Sequence, residues 1–148
     1  MSDNLNGSVT VAKEAYEEIL THSKGAYPHE CCGMLLGSFN KDGSKNITAR
    51  APLTNTNSER ANDRYEIDPG EMLMLEKEAR KNGLDVVGIY HSHPDHPSRP
   101  SQFDRDRGWP DYSYIIVACE KGVKTEAKSW SFENPDDPFT EEELIIKE

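Results

Sequence analysis

The sequence predicts a single α/β (α+β) domain, a mixed β-sheet with flanking helices, and three observations lead there. Its 148 residues are the usual size of one domain. Apolar stripes of helical period alternate along it with short apolar runs of strand length. Hairpin turn signals lie toward both ends, which suits a mixed sheet better than a purely parallel one.

The elements follow in order. Residues 1–8 are polar and read as a loose tail. Ala12, Ala15, Tyr16, Ile19 and Leu20 recur at i, i+3, i+4, i+7 and i+8, the stripe of an amphipathic helix ending by Gly25. Residues 31–39 read as a buried strand, and Lys41-Asp42-Gly43 turns the chain into a second strand over 46–53. A polar loop over 54–64 leads to a short strand at 65–67. Asp68-Pro69-Gly70-Glu71 then announces a helix, with Asp as N-cap, Pro at N1 and Glu at N3. Met72, Leu75 and Ala79 form its inner face, and Gly83 its C-terminal cap. Residues 84–90 are a further strand. Residues 112–119 and 123–132 are two more, joined by Glu120-Lys121-Gly122. Asn134-Pro135-Asp136-Asp137-Pro138 breaks structure, and 140–146 is expected to be a short capped helix with Glu141-Glu142-Glu143 on its solvated face. One domain over 1–148 results, its core over about 9–132, with a polar N-terminal tail and an acidic C-terminal segment.

Composition narrows the function. Seventeen Lys and Arg stand against 27 Asp and Glu, a net charge of −10. That balance argues against nucleic acid as a partner, because phosphate contacts need clustered cations. No apolar run approaches the roughly 20 residues that span a bilayer. Met1-Ser2-Asp3-Asn4 lacks the basic-then-apolar order of a signal peptide, so a cytoplasmic location is expected. Three cysteines, Cys31, Cys32 and Cys119, make no disulfide framework and read as reduced core thiols.

The chemistry lies in the stretch from His91 to Asp104. Alternate residues of a strand share a face, so His91 and His93 leave the strand end together, and Pro94 stops the strand there. Imidazole with carboxylate is a zinc donor set, and three protein ligands leave a fourth position for water, whose pKa zinc lowers to about 7. His91-x-His93-x-Asp95-His96 matches a metallo-β-lactamase signature. That fold needs a longer chain and further histidines downstream, and none of the five follows His96.

Over the whole stretch the order is H-x-H-P, six residues, then S-x-x-D, ending on Ser101 and Asp104, with Glu30 far upstream in Pro28-His29-Glu30-Cys31-Cys32-Gly33. This pattern resembles the JAMM (MPN+) zinc metalloprotease family, and the likeness extends from about Val11 to Phe132, most similar to the small stand-alone prokaryotic members. The resemblance implies a cytidine-deaminase-like fold with one Zn2+ held by His91, His93 and Asp104. It implies that Glu30 takes the proton of the attacking water and passes it to the leaving nitrogen, and that Ser101 helps hold the oxyanion. It implies a partner of ubiquitin-like kind, ending in Gly-Gly, such as the sulfur carriers of the ThiS and MoaD type. Some relatives release an amino acid such as cysteine from the carrier's C-terminus. Gly tails suit a narrow cleft and can pair with a sheet edge through backbone, for which the loop over 54–65 is the candidate.

Each residue has a plainer reading beside this one. Ser101 and Asp104 equally form a helix N-cap and N3 pair, which would engage the serine hydroxyl with its own helix. Glu30 alone reads as a solvated loop charge, and Asp95 and His96 as exposed loop residues. Strand alternation puts Cys31 and Cys32 on opposite faces, which favours packing over a thiolate site. Trp109 packs at the entry to the next strand or lines the cleft. Arg99, Arg105 and Arg107 form either a solvated cluster or an attraction for a carboxylate-bearing substrate. The alternative to an enzyme is a catalytically silent module that binds a carrier tail. Such modules usually lack a ligand, and none is missing here.

Overall fold

The computed structural model describes residues 7–148. Seven strands and three helices follow in the order β1 (Ser8–Ala12), α1 (Lys13–Ala26), β2 (Cys32–Phe39), β3 (Lys45–Leu53), α2 (Pro69–Lys81), β4 (Asp85–Pro94), α3 (Gln102–Arg107), β5 (Ser113–Glu120), β6 (Lys124–Ser131) and β7 (Thr140–Lys147). The strands form one mixed sheet ordered β1-β3-β2-β4-β5-β6-β7, which closes because β7 pairs with β1. The β1–β3, β1–β7 and β4–β5 ladders are parallel and the others antiparallel.

Two apolar clusters lie on opposite faces of this sheet. One gathers Val9, Val11, Leu35, Ile47, Val87, Ile115 and Val117 under the Ala15 and Ile19 face of α1. The other gathers Met34, Leu36, Leu53, Val86 and Ile89 with Ala79 of α2, Met72 and Leu75 packing at its margin. Cys31 falls in the first and Cys32 in the second, as alternation requires. All three cysteines are buried and unbridged. Helix α2 starts as its sequence demands, with Asp68 accepting from the Glu71 N–H at 3.1 Å. Gly83 follows its end at φ 74°, a backbone region glycine enters without a Cβ penalty.

Three expectations need correction. The supposed tail contains β1 from Ser8 onward; residues 1–6 lie outside the described residues. Its Val9 and Val11 are fully buried between β3 and β7, but five residues are too few for a periodicity to declare itself. Residues 65–67 are not a strand: Asn55 Oδ1 takes the Glu66 N–H and Thr56 N–H bonds to the Glu66 carbonyl, in place of a ladder. Residues 140–146 belong to a strand, not a helix. Leu144 and Ile146 alternate onto the core, and the β1 edge is waiting for a partner.

The same segment hides a charge where a solvated face was expected. Glu142 is buried and sits 3.6 Å from the equally buried Lys45 Nζ. Ser113 and Ser129 donate their hydroxyls to its Oε1, so the carboxylate is well bonded. Breaking one member of a buried pair strands the other. Lys45→Met is therefore expected to lower unfolding stability by about 3–5 kcal/mol in urea titration, and Lys45→Met with Glu142→Gln to recover part of that loss.

Candidate metal centre

Strand β4 continues four residues past its expected end, so both histidines lie on the ladder: His91 is in register with Cys32 and Ile116, and His93 with Ala118. Between β2 and β4 the register slips, Leu35 opposing Gly88 but Leu36 opposing Val86. The extra residue, Val87, turns to the α1 cluster, and Ile89 rejoins Val86 on the other face. A bulge of this kind re-aims every later side chain. It is what places His91 and His93 on the α2 side, where His91 stacks on Tyr65 with ring centroids 4.6 Å apart. At the bulge, a Cβ on Gly88 would lie 1.9 Å from the Ser113 carbonyl oxygen, so β4 and β5 meet only over a glycine there.

The third member comes from α3. Ser101 caps this helix, its Oγ accepting from the Asp104 N–H at 3.1 Å while Asp104 Oδ2 accepts from the Ser101 N–H at 2.9 Å. The reciprocal cap holds Asp104 facing the histidines. His91 Nε2 lies 3.3 Å from Asp104 Oδ1, His93 Nε2 lies 3.2 Å from Asp104 Oδ2, and the two Nε2 atoms are 3.1 Å apart. The helix-cap reading of Ser101–Asp104 is the one observed, and the same cap turns the Asp104 carboxylate toward the two histidines.

Hydrogen bonding sets the tautomer of His93. Its Nδ1 lies 2.9 Å from the Pro97 carbonyl, which only accepts, so Nδ1 carries the hydrogen and neutral His93 presents a lone pair at Nε2. That lone pair faces a carboxylate oxygen and a second imidazole nitrogen, an arrangement that calls for a cation or a proton between them. Separations of 3.1–3.3 Å are those of neighbouring corners of a tetrahedron about 2 Å in radius. The donor set therefore fits a metal ion, and among the described residues His91, His93 and Asp104 are the group that could hold one. Cys31 and Cys32 do not join it, and burial raises both thiols, Cys32 to about 12.

The charges reflect this enclosure. Burial works against the ionised Asp104, yet the two histidines and the Ser101 N–H overcome it and hold the carboxyl well below the usual carboxylate range. Burial likewise opposes protonation of His93, but Asp104 and the Pro97 carbonyl raise it above the ordinary imidazole range. At His91 burial dominates and lowers it.

Glu30 enters from the start of β2. Its N–H bonds to the Ala61 carbonyl at 2.5 Å and its carbonyl accepts from Asn55 Nδ2 at 3.1 Å. It is buried, not the solvated charge of the plainer reading, and lines one cleft with His93 and Ser101. Burial pushes its carboxyl up to about 8, the Asp104 and Asp63 charges adding to the rise and His93 and Arg64 opposing it.

Other residues sort themselves. Asp95, at φ 60°, accepts from the Tyr27 hydroxyl at 2.5 Å and from the Lys121 N–H at 2.8 Å, a structural clamp that leaves no place for a metallo-β-lactamase site. His96 lines the cleft rim but stands outside the ligand group. Trp109 is exposed and not among the cleft walls. Arg105 turns away to the Asp137 and Pro135 carbonyls, Arg107 pairs with Glu66 at 3.8 Å, and only Arg99 of the three reaches the cleft. Arg60 and Arg64, also in the cleft wall, escaped the sequence reading because a polar loop offers no period or motif to single them out.

Residues 12–133 match the prokaryotic homologs of the JAB domain. The chain belongs to this family. Among JAB-family relatives, the desampylase of Haloferax volcanii is 34% identical over 128 residues, 83% of this chain and 88% of its own length. The CysO-cysteine peptidase of Mycobacterium tuberculosis is 28% identical over 141 residues, 95% of this chain and 92% of its own. A solution structure of a Desulfitobacterium hafniense protein superposes with a TM-score of 0.82 at 35% identity, covering 95% of this chain and 93% of that one. A JAB1/MPN domain protein of Archaeoglobus fulgidus, 22% identical, shares the fold at a TM-score of 0.58 over 97% of this chain and all of its own. The JAB/MPN architecture expected from the motif is the one observed.

The position of Glu30 has a consequence for stability. Its folded value lies above the ordinary 4.5, so the fold is undisturbed by it below that pH and loses stability as pH rises toward about 8. In metal-stripped protein, Glu30→Gln should therefore be more stable than wild type at pH 9, by on the order of 5 kcal/mol, with the gain vanishing near pH 4. Chemical denaturation at the two pH values measures the difference.

Proposed function

We propose that this JAB-family chain is a zinc-dependent metallopeptidase or isopeptidase that hydrolyses an amide bond at the C-terminal Gly-Gly tail of a ubiquitin-like or sulfur-carrier protein of the ThiS/MoaD type, acting in the cytoplasm. The observation that carries this reading is the convergence of His91 Nε2, His93 Nε2 and the Asp104 carboxylate, with His93 opening onto a cleft that the buried Glu30 also lines. Relatives named desampylase and CysO-cysteine peptidase support this reading.

His91, His93 and Asp104 would hold the ion. Zinc bound there supplies Lewis acidity toward the scissile carbonyl and makes water a better acid. Zinc rather than another divalent ion is favoured by the two imidazoles and one carboxylate.

Glu30 acts as general base and then general acid. Burial already discourages its charge, so it accepts a proton readily, and a nearby cation draws its value back toward neutrality or below. No residue among those described hydrogen-bonds its carboxyl, which leaves both oxygens for water and the leaving nitrogen. Ser101 acts as oxyanion donor. Its Oγ is engaged with the helix only as an acceptor, so its proton remains for the substrate oxygen. The sheet is closed, so a tail finds no full edge strand and pairs instead with loop backbone over residues 54–65.

Removing the base without a ligand separates the roles. Glu30→Gln should keep about one zinc per chain and lose roughly 10²–10⁴ in kcat on a carrier-tail conjugate; turnover at the wild-type rate would refute the assignment. His93→Ala and Asp104→Ala should lose zinc and activity together, as elemental analysis of purified protein would report, and full occupancy in either would contradict ligation.

A further inference from the structure

Two segments that no ladder joins line the cleft: the loop that carries Arg60 and Arg64 beside Glu30, and the start of α3 with Ser101 and Phe103. Helix α3 is tied elsewhere, its Arg105 donating to the Asp137 and Pro135 carbonyls. Among the described residues no hydrogen bond joins residues 54–68 to residues 101–108. The link between them is an aromatic ring. The Arg64 guanidinium, from the loop, lies 4.2 Å over the Phe103 ring, and the Arg107 guanidinium, from the helix, lies 4.4 Å over the same ring. Arg107 Nη2 then reaches back toward Glu66 Oε1 at 3.8 Å. A ring face attracts a guanidinium through its quadrupole, and the Glu66 carboxylate offsets the repulsion between the two cations.

Both ends of this link sit beside the chemistry. Phe103 directly precedes Asp104, and Ser101 caps the same short helix. On the loop side, Asn55 Nδ2 donates to the Glu30 carbonyl at 3.1 Å and to the Arg64 carbonyl at 3.0 Å, while its Oδ1 accepts from the Glu66 N–H at 3.1 Å. One amide side chain therefore carries Glu30 and both loop residues of the clasp. The other flank of Glu30 is held by β4, where Ser92 Oγ accepts from the Cys31 N–H at 2.9 Å. The strand fixes where the backbone of Glu30 lies, and the loop fixes how far its wall stands from α3.

We infer that Phe103 and Arg64 are positioning residues for the hydrolysis: their contact, closed by Arg107 on Glu66, latches the wall that holds Glu30 onto the helix that holds Asp104 and Ser101. The latch sets the span between the base and the oxyanion donor. This rests on the hydrolase reading above. In that reaction Glu30 takes a proton from the attacking water and delivers it to the departing nitrogen, while Ser101 donates to the carbonyl oxygen. Both groups must come within hydrogen-bond reach of one substrate, about 2.6–3.2 Å. A misplacement of about 1 Å can cost on the order of 10²-fold in rate. Tail binding is spread over many contacts and depends far less steeply on that span, so loss of the latch is felt in kcat and not in KM. An aliphatic side chain at 103 fills space without attracting a guanidinium, which separates the latch from packing.

The test measures zinc content, kcat and KM of the zinc-loaded full chain on a Gly-Gly carrier-tail conjugate. It compares wild type with Phe103→Leu, Phe103→Tyr, Arg64→Gln and the double variant Phe103→Leu/Arg64→Gln. Phe103→Leu and Arg64→Gln should each keep zinc at the wild-type level and lose about 10-fold or more in kcat, with KM changed by no more than about twofold. Phe103→Tyr, which keeps a ring, should stay within about twofold of wild type in kcat. Because both changes break one contact, the double variant should be no slower than the slower single, to within about twofold. Losses that multiply in the double variant, an undiminished kcat in Phe103→Leu, a loss carried by KM, or a loss of zinc would each overturn the latch and leave the hydrolase reading standing. Should Phe103→Leu fail to fold, Arg107→Gln takes its place in the cycle with Arg64→Gln, under the same criteria. Wild type that cleaves no conjugate would overturn the hydrolase reading, and the latch with it.

Discussion

Two imidazole nitrogens 3.1 Å apart, each within 3.3 Å of the same carboxylate, do not rest together as bare lone pairs. Something positive must sit among them, and the rest of the molecule is arranged to keep them there. The Pro97 carbonyl holds the hydrogen of His93 on Nδ1, Tyr65 stacks against His91, and the Ser101 cap holds Asp104. Each support is rigid because it is backbone, a packed ring or a helix terminus. Outer partners of this kind orient ligands and tune their basicity.

A ladder, not a loop, carries the histidines. Because β4 is laddered to β2 as far as His91 and to β5 through both histidines, His91 and His93 have little freedom to part. The Val87 bulge decides which face they take, and the small Gly88 lets the neighbouring strand close over it. Placing ligands on a regular element and only the third on a short capped helix costs less order than building the site from loops. The opposite wall is different in kind. Residues 54–68 have no ladder, so Asn55 satisfies their backbone through its side chain, tying Glu30 and Arg64 into one unit. Glu30 thus depends on a loop, while the ligands do not.

Most of the site was legible because its members are chemically conspicuous at fixed spacing: His91, His93, Ser101 and Asp104 lie within one stretch of 14 residues. Glu30 was recoverable only through the family pattern, since a lone glutamate before a strand carries no local signal. Helix α2 was legible from Asp68, Pro69 and Glu71 because caps act locally. What escaped depends on long-range contact. β1 and β7 make sense as strands only when each is seen as the other's partner, and Glu142 reads as solvated until Lys45, Ser113 and Ser129 surround it. The Val87 bulge leaves no trace in residue type, and the roles of Arg64 and Asn55 arise from neighbours distant in sequence.

X-ray absorption at the zinc edge of the reconstituted protein tests the central claim most directly. A shell of nitrogen and oxygen near 2.0–2.1 Å, with the multiple scattering of two imidazoles and no sulfur, is the predicted result. A sulfur shell near 2.3 Å, or the signature of fewer than two imidazoles, would contradict it.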